Sequence, residues 1–541
     1  MIASVRKMML AVIALAAIAG PTEIAAQAMA PAEAVLRLRC GGCHAPLPNG
    51  RLARISEQRK APEGWYMTLF RMKNLHKVQI TDEEHGILMK LLSDTQGLAP
   101  AETSDYRYAL ERESHFAEKY NAVDSLDPAG LARRCALCHS FARSALQRRT
   151  EDEWRLLVNF HVSQFPATEY LAFNRTTPDY WQSLSSETPK VLAAQYPFET
   201  PEWRAWVDMT HKDLSGQWRV VGDLPGVGSY EGIETIARTA PDKYSVSYAI
   251  NYADGRTDRG EGSAIVYTGY EWRGTVNYRS DRVREVYAVT PDGNQMQGRW
   301  FRLEHDELGA RSRAVRIQSG VSRVLSVDPA YVRAGEHKRL VIIGTNLVGP
   351  IDLGSGVVAK VLERDPMRVV VDATAVSEAT AGARTVTVGD AHAESAVVVY
   401  RTLDSLRVEP PFAMCRAGDG GGKIAAVSAQ FDAVGYLNGP DGIPGTPDDI
   451  RVGVFPAAWA LEPYDEVAKR REDEKYAGKI TPNGLFVAPP GGSDRTRPHG
   501  VLNPSGDLSV RATTDDSGRS LSGLGHVVVS ASPLYVNPPI R

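Results

Sequence analysis

The chain has 541 residues, with 62 Lys and Arg against 65 Asp and Glu, a formal net charge of −3 and only 5 Cys. This length is typical of about three to five domains, and the near-neutral charge provides no general attraction to nucleic acid. Five cysteines are too few for a disulfide-stabilised scaffold. A hydrophobic share of 43% excludes collagen-like and wholly disordered chains.

The amino terminus has the pattern of a secretory signal peptide. Arg6 and Lys7 precede an apolar run at 8–20, and Ala26-Gln27-Ala28 follows as a small-x-small site. A membrane-spanning helix needs about 18 or more apolar residues, so this run is too short, and no comparable stretch follows. We therefore predict a signal peptide over residues 1–28, cleaved near Ala28, and an exported chain with no membrane span.

Two Cys-x-x-Cys-His motifs are the strongest chemical signal in the sequence. They consist of Cys40, Cys43 and His44, and of Cys135, Cys138 and His139. Such a motif is typical of covalent attachment of a c-type haem. Two thiols three residues apart share one face of a helix and can reach both vinyl groups of one porphyrin, and the adjacent His then presents its imidazole to the iron. We predict two covalently bound haem c groups.

Three other interpretations of the cysteine pairs are weaker. A four-Cys zinc site usually has its two halves about 15–20 residues apart, whereas here they are 95 apart. A thioredoxin-type dithiol needs a βαβ context, which the sequence lacks. Disulfides would not place a His directly after each pair.

An internal repeat predicts the distal iron ligands. When the segments after the two motifs are aligned on Trp65 and Trp154, Met72 and His161 occupy the same position, seven residues later. We therefore predict His44 and Met72 as the iron ligands of haem 1, and His139 and His161 as those of haem 2. The rival candidates, interpreted as core or surface residues, are Met67, Met89, His76, His85 and His115.

The two ligand sets predict an order of potentials. A thioether ligand raises the haem potential, whereas a second imidazole leaves it lower. Electrons should then pass from haem 2 to haem 1.

The first part of the chain has a helical pattern. Leu88, Leu91 and Leu92 share one helical face after Thr81 and Glu84, which have capping-box spacing, and residues 97–100 end that helix. We predict an all-α diheme cytochrome c domain over residues 29–210, made of modules 29–115 and 116–210.

The rest of the chain predicts β structure. Strict alternation at 244–252 ends in a hairpin signal at Asp254-Gly255, and we expect an antiparallel barrel or sandwich over 211–318. Strand spacing favours an immunoglobulin-like sandwich over 319–403, and a C-terminal β-sandwich is predicted over 404–541. The fold class is therefore multidomain α+β, with the all-α domain followed by three all-β domains.

Two features of the last domain have less specific interpretations. The loop Asn438–Asp449 is rich in oxygen ligands and could bind Ca²⁺, but it lacks the full EF-hand pattern, so a turn-rich loop is favoured. Cys415 has no partner, and a buried thiol is favoured over a catalytic one.

The order of these parts resembles the haem-carrying α subunit of quinohemoprotein amine dehydrogenase. The resemblance covers essentially the whole chain and depends on RCGGCH at 39–44, RCALCH at 134–139, the Met72/His161 repeat, and Val341–Leu347, which resembles IPT/TIG modules. It implies a periplasmic αβγ heterotrimer that oxidises primary amines to aldehydes and ammonia.

The resemblance also implies the partners. A cysteine tryptophylquinone cofactor is expected in a small γ subunit, beside a β-propeller β subunit. This chain would pass the electrons through its haems to a soluble acceptor, such as a blue-copper protein or a small cytochrome c. We expect no residue of this chain to catalyse amine oxidation, since only Cys415 remains for a Cys–Trp crosslink and it is far from the haem modules.

Three alternative functions stay open. A stand-alone diheme cytochrome c, or a peroxidase of the diheme cytochrome c type, would share the two motifs, although the peroxidase has no place for the β-rich half. A cell-surface diheme protein with carbohydrate-binding sandwiches is the other alternative, and an aromatic content of 8% gives it no support.

Overall fold

The structure is a computed structural model, and it describes residues 21–107, 141–165, 168–170, 180–418, 425–498 and 503–531. The second motif, at 135–139, and His115 lie outside the described residues, as do residues 1–20 of the predicted signal peptide. Within the described ranges, no helix is long and apolar enough to cross a membrane.

The described part of the N-terminal domain is mainly helical. Its principal helices are α1 (Pro21–Cys40), α2 (Pro62–Asn74), α3 (Asp82–Thr95), α4 (Pro100–Thr103), α5 (Ala142–Ala145), α6 (Glu151–Gln164), α7 (Tyr180–Gln182), a π-helical turn at Ser183–Glu187, α8 (Thr188–Gln195) and α9 (Pro201–Val207). The predicted capping box starts α3, because Glu84 N donates to Thr81 Oγ1 at 3.1 Å and Thr81 N donates to the Glu84 carboxylate at 2.9 Å.

The prediction that this domain is all-α is not confirmed, because it also contains a two-stranded antiparallel ladder. Strand β1 (Gln58–Lys60) pairs with β2 (Gln147–Arg149), with Arg59 opposite Arg148. These segments are largely buried, and buried backbone N–H and C=O groups need hydrogen-bond partners. The two segments supply part of these partners for each other, and Lys60 N–H donates instead to Gln96 O at 2.9 Å.

Eight strands follow the helical domain. They are β3 (Gly216–Leu224), β4 (Gly228–Ala240), β5 (Lys243–Tyr252), β6 (Thr257–Tyr267), β7 (Glu271–Tyr278), β8 (Arg282–Val289), β9 (Gln295–Arg302) and β10 (Gly309–Arg316). They close into an antiparallel barrel in which β10 pairs with β3. In β5 every second side chain is buried, from Tyr244 to Ile250, so the alternation seen in the sequence corresponds to the inside and outside of the barrel.

The next domain is a sandwich of two four-stranded sheets. Its strands are β11 (Arg323–Asp328), β12 (Tyr331–Arg333), β13 (His337–Thr345), β14 (Ile351–Asp352), β15 (Val357–Asp365), β16 (Arg368–Ala375), β17 (Gly382–Val388) and β18 (Ala391–Tyr400). The sheets have the orders β11-β13-β16-β15 and β12-β18-β17-β14. Their shared core includes Leu340, Val371 and Val399, each fully buried.

The C-terminal domain combines three small sheets with two short helices. Its elements are β19 (Ser405–Glu409), β20 (Phe412–Arg416), β21 (Ala429–Gln430), β22 (Asp432–Leu437), β23 (Ile450–Val454), β24 (Ala458–Pro463), α10 (Glu466–Arg470), α11 (Asp473–Tyr476), β25 (Lys479–Ile480), β26 (Leu485–Val487), β27 (Gly506–Asp516) and β28 (Arg519–Ser530). The long β27–β28 hairpin packs on a core centred on Phe431 and Phe486.

Charged and polar contacts attach the helical domain to the barrel. Arg273 in β7 makes a two-point ion pair with the carboxylate of Glu63 in α2, at 2.5 and 3.0 Å. Burial raises the pKa of Glu63, but the charge and hydrogen bonds of Arg273 outweigh it and hold that pKa below its usual value. At a second contact, Thr268 donates its backbone N–H to Asp94 at 2.8 Å and its hydroxyl to Ser93 O at 2.9 Å.

We expect Arg273→Met to weaken this attachment strongly, since removing one member of a buried ion pair typically costs about 3–5 kcal/mol. Calorimetry should show a lower melting temperature for the helical domain. The pKa of Glu63 is lowered in the folded protein. The ion pair therefore stabilises the fold at pH values above the pKa that Glu63 has in the unfolded chain, and this stabilisation disappears as the pH falls through its pKa in the folded protein. The wild-type and variant melting temperatures should therefore converge in acid.

Arg256→Met is the matched control. Arg256 pairs with Asp254 on the surface of the same barrel, where the side chains are 61% and 40% exposed, and exposed pairs contribute little. Equal effects of the two substitutions would contradict the proposed role of the Arg273–Glu63 pair.

Candidate haem-binding site

The first Cys-x-x-Cys-His motif forms a turn at the end of α1. The backbone N–H groups of Cys43 and His44 both donate to Cys40 O, at 3.1 and 3.0 Å. The turn therefore keeps the near-helical spacing that covalent haem attachment requires. Cys40 is half-buried, Cys43 is exposed, and both are free thiols.

His44 is oriented by a small backbone loop. The carbonyl of Ala53 accepts a hydrogen bond from His44 Nδ1 at 3.0 Å, and Ala53 N–H donates to Ala45 O, which closes that loop. Since Nδ1 must hold the proton, the lone pair lies on Nε2, as an iron-ligating imidazole needs. Burial is the main cause of the lowered His44 pKa, which keeps the ring neutral.

The walls beside this turn are apolar. Cys40 packs against a core cluster that includes Trp65, Leu69, Leu88 and Leu92. A porphyrin plane needs such a wall, and the two thiols and the oriented imidazole supply the covalent and axial donors. These residues fit a haem group.

The sequence repeat around the predicted distal ligands is present in the structure. Helix α6 begins at Glu151, 89 residues after Pro62, where α2 begins. Trp65 and Trp154 are each 1% exposed, and Met72 and His161 occupy equivalent positions late in the two helices. His161 Nδ1 donates to Leu157 O at 2.8 Å, so its lone pair also lies on Nε2.

Equivalent residues of the two repeats touch one another. Arg59 is opposite Arg148 in the ladder, and the guanidinium of Arg71 lies 5.2 Å from the ring centroid of Phe160, its equivalent in the repeat. Contacts between equivalent positions are what a local two-fold axis produces. Because Arg71 and Phe160 directly precede Met72 and His161, the axis brings the helices of the two predicted distal ligands together.

The rival ligands occupy varied environments. Met89 is buried in the core, and His85 makes an edge contact with Tyr66, 5.4 Å between ring centroids. His76 is exposed, but it is close enough to His44 to contribute to lowering the pKa of that residue. His115, His139, Cys135 and Cys138 lie outside the described residues.

Sequence reasoning missed the roles of the buried ions beside the ladder. Arg59 binds both oxygens of Glu102 at 2.9 Å, and Arg148 Nε lies 3.2 Å from the same carboxylate. Glu102 therefore ties the two strands together on one face. The signal was present in the repeated Gln-Arg-Lys and Gln-Arg-Arg triplets at 58–60 and 147–149, which have the same spacing along the chain as Trp65 and Trp154.

The two less specific features of the C-terminal domain are also placed. In the loop Asn438–Asp449, the carboxylates of Asp448 and Asp449 accept hydrogen bonds from Thr446, and Arg407 binds Asp449. Cys415 is 1% exposed, and burial raises the pKa of its thiol, which disfavours the reactive thiolate.

These observations define a haem-binding helical domain followed by β domains, and family comparisons agree with this class. Four family models match the chain, all described as quinohemoprotein amine dehydrogenase α subunit: the haem-binding domain at 30–203, domain II at 211–317, domain III at 321–401 and domain IV at 406–540. The chain belongs to the family of quinohemoprotein amine dehydrogenase α subunits. None of the curated protein sequences compared with it matches.

Several solved structures resemble parts of the fold. A redesigned β-barrel matches with 18% identity over 19% of this chain and 92% of its own, with a TM-score of 0.18. Drosophila N-cadherin EC1-4 matches with 9% identity over 61% of this chain and 95% of its own, with a TM-score of 0.16. A Bacteroides ovatus protein, SGBP-B from a mixed-linkage glucan utilization locus, matches with 11% identity over 60% and 68%, TM-score 0.18. Scores this low support no functional argument.

We expect Met72→Ala to remove the thioether-to-iron absorption band of the oxidised protein and to lower the potential of one haem, because a thioether ligand stabilises ferrous iron. Optical redox titration measures both effects. Met67→Ala and His76→Ala are the controls and should leave the band and the potential unchanged. Loss of the band in Met67→Ala but not in Met72→Ala, or absence of the band from the wild type, would show that Met72 is not the ligand.

Proposed function

We propose that this chain is the periplasmic electron-transfer subunit of an amine dehydrogenase heterotrimer. Electrons released when a primary amine is oxidised to aldehyde and ammonia at a cysteine tryptophylquinone in a small partner subunit would pass through two haem c groups of this chain to a soluble acceptor. The principal support is the Cys40–His44 turn, whose imidazole is oriented by the Ala53 carbonyl.

The proposed roles follow from the donor chemistry of each residue. Thioethers from two cysteine pairs (Cys40 and Cys43; Cys135 and Cys138) would attach the haems. His44 and Met72 would ligate the first iron, and His139 and His161 the second. A haem c group accepts and releases one electron at its iron, and the chain's residues hold it, orient its ligands and exclude water from it.

The chain itself offers poor chemistry for the quinone. A cysteine tryptophylquinone requires a reactive cysteine beside a tryptophan, and the cysteines of the two motifs are assigned to haem. Cys415 is deeply buried with a raised thiol pKa. These properties support a quinone in a partner subunit, beside a β-propeller subunit, and an acceptor such as a blue-copper protein or a small cytochrome c.

We expect the exported protein to contain two haems per chain that remain attached after denaturation, because thioether bonds survive unfolding. Mass spectrometry of the denatured chain measures this directly. Replacing Cys40 and Cys43 together with Ala should remove one haem of the two, whereas Cys415→Ala should keep both. Haem that is fully extracted by acid and organic solvent would rule out covalent attachment.

We expect the native complex, purified from the periplasm, to contain at least two further subunits and to show haem reduction on addition of n-butylamine. Absorption spectra of the α band monitor the reduction. A purified chain without partners whose haems do not respond to amines would contradict the amine dehydrogenase assignment. Oxidation of the reduced haems by peroxide would favour a peroxidase.

A further inference from the structure

Among the described residues, a group of buried cations where the two helical modules meet has few carboxylate partners. We define the inter-module basic cluster as Lys60, Arg71 and Arg149. Lys60 is 1% exposed and Arg149 is 4% exposed, and Arg71 is half-buried. Burying charge is costly unless the charge is paired, so the partners of each cation must be identified.

Lys60 has only uncharged contacts among the described residues. Its ammonium donates to Thr68 Oγ1 at 2.6 Å and lies 4.6 Å from the centroid of the Trp65 ring. Within the described ranges it forms no ion pair. Burial, followed by the charge of Arg149, lowers the pKa of Lys60 well below its usual value, as expected of an ammonium that lacks a counterion.

One carboxylate pairs with two of the neighbouring cations. Glu153 is bound by Arg149 Nη1 at 3.4 Å and by Arg54 Nε at 2.9 Å. Arg71 contacts the ring of Phe160. Lys60, Arg71, Arg149 and Arg54 are close neighbours, and in the described part of the chain Glu153 forms ion pairs with only two of them.

The ladder explains why these cations gather on one side. Successive side chains of a strand point to opposite faces, so Arg59 and Arg148 point to the face where Glu102 binds both. Lys60 and Arg149 point to the other face, where they lie near Arg71. The ladder therefore separates two groups of cations. Arg59 and Arg148 share the carboxylate of Glu102, whereas the described cations around Lys60 outnumber their carboxylate partners.

The cluster adjoins the helices of both predicted distal ligands. Arg71 directly precedes Met72, and its guanidinium lies 5.2 Å from the ring centroid of Phe160, which directly precedes His161. Arg149 pairs with Glu153 in α6, the helix that contains His161. The basic cluster therefore lies beside the segments of both predicted distal ligands.

An indole donor in the same region also lacks an acceptor. Trp154 is 1% exposed, and its Nε1 has no hydrogen-bond partner among the described residues. The equivalent Trp65 donates its Nε1–H to Gln96 O at 3.0 Å. Arg149 lies over the Trp154 ring, 5.6 Å from its centroid, so the unpaired donor is beside the cations.

We propose that the inter-module basic cluster binds the propionate carboxylates of haem, with Lys60 and Arg149 as the principal cations and Trp154 Nε1 as a further donor. A propionate is a carboxylate on a flexible arm at the porphyrin edge, and it supplies both the negative charge and the acceptor that this region lacks. This proposal rests on one part of the proposed function, namely that the two helical modules bind haem.

The first test uses Lys60→Met in the whole holoprotein, with Arg148→Met as the control. Both remove one buried cation of the ladder, but Arg148 points to the Glu102 face. Mass spectrometry first establishes that each variant contains two haems; absence of haem from the wild type would refute the proposed function and not this inference alone.

The measurement is an infrared redox difference spectrum with the propionate carboxyls labelled with ¹³C. We expect Lys60→Met to shift the labelled carboxylate bands and, because a nearby positive charge favours ferrous iron, to raise the ratio of ferric to ferrous haem at a fixed applied potential by about threefold or more. Arg148→Met should leave the labelled bands in place. Unchanged bands in Lys60→Met, or equal shifts in both variants, would overturn the proposal.

A second pair of substitutions, which removes no charge, keeps the proposal testable if the Lys60→Met variant does not fold. Trp154→Phe removes the unpaired indole N–H, and Trp65→Phe removes the equivalent one that already has a backbone acceptor. We expect a shift of the labelled propionate bands in Trp154→Phe only. A band position that is the same in wild type and Trp154→Phe would overturn the role of this donor, and a shift of equal size in Trp65→Phe would show that the effect is not specific.

Discussion

The antiparallel pairing of residues 58–60 with 147–149 is the constraint on which the arrangement of the helical domain depends. It joins two segments that are distant in sequence, buries four basic side chains and fixes which of them share a face. Each strand leads directly into the helix that holds a predicted distal ligand. The position of Met72 relative to His161 is therefore determined by three backbone pairs and by the contact of Arg71 with Phe160.

The same pairing gives the domain its unusual electrostatics. On one face, the carboxylate of Glu102 forms ion pairs with both Arg59 and Arg148. Burial raises the pKa of Glu102, but these arginines outweigh burial and hold that pKa below its usual value. On the other face, counting the residues that the structure describes, Lys60 and Arg149 adjoin Glu153, which also pairs with Arg54. Buried charge of this kind is stable only with a counterion. An anionic cofactor between the modules would be part of the fold as well as of the function, and its iron would be more easily reduced in that field.

The barrel acts as a rigid support for this domain. A closed barrel has no free edge, so β6 and β7 and the turn between them present fixed partners, and Arg273 and Thr268 bind α2 and α3 there. The sandwich and the C-terminal domain have well-packed cores of their own. No cluster of three metal-binding side chains occurs in the described residues.

The sequence alone predicted a haem-binding domain, the repeat and the β character of the barrel, because these depend on local spacing: Cys40, Cys43 and His44 within one turn, Trp65 and Trp154 in equivalent segments, and strict alternation in β5. It could not predict the ladder, the sharing of Glu102 or the surplus charge around Lys60. Those features depend on which segments meet after folding, across about 90 residues of chain. Three-residue strands have too little pattern to be recognised locally, so only the tertiary structure decided that Arg59 lies opposite Arg148 in a buried ladder.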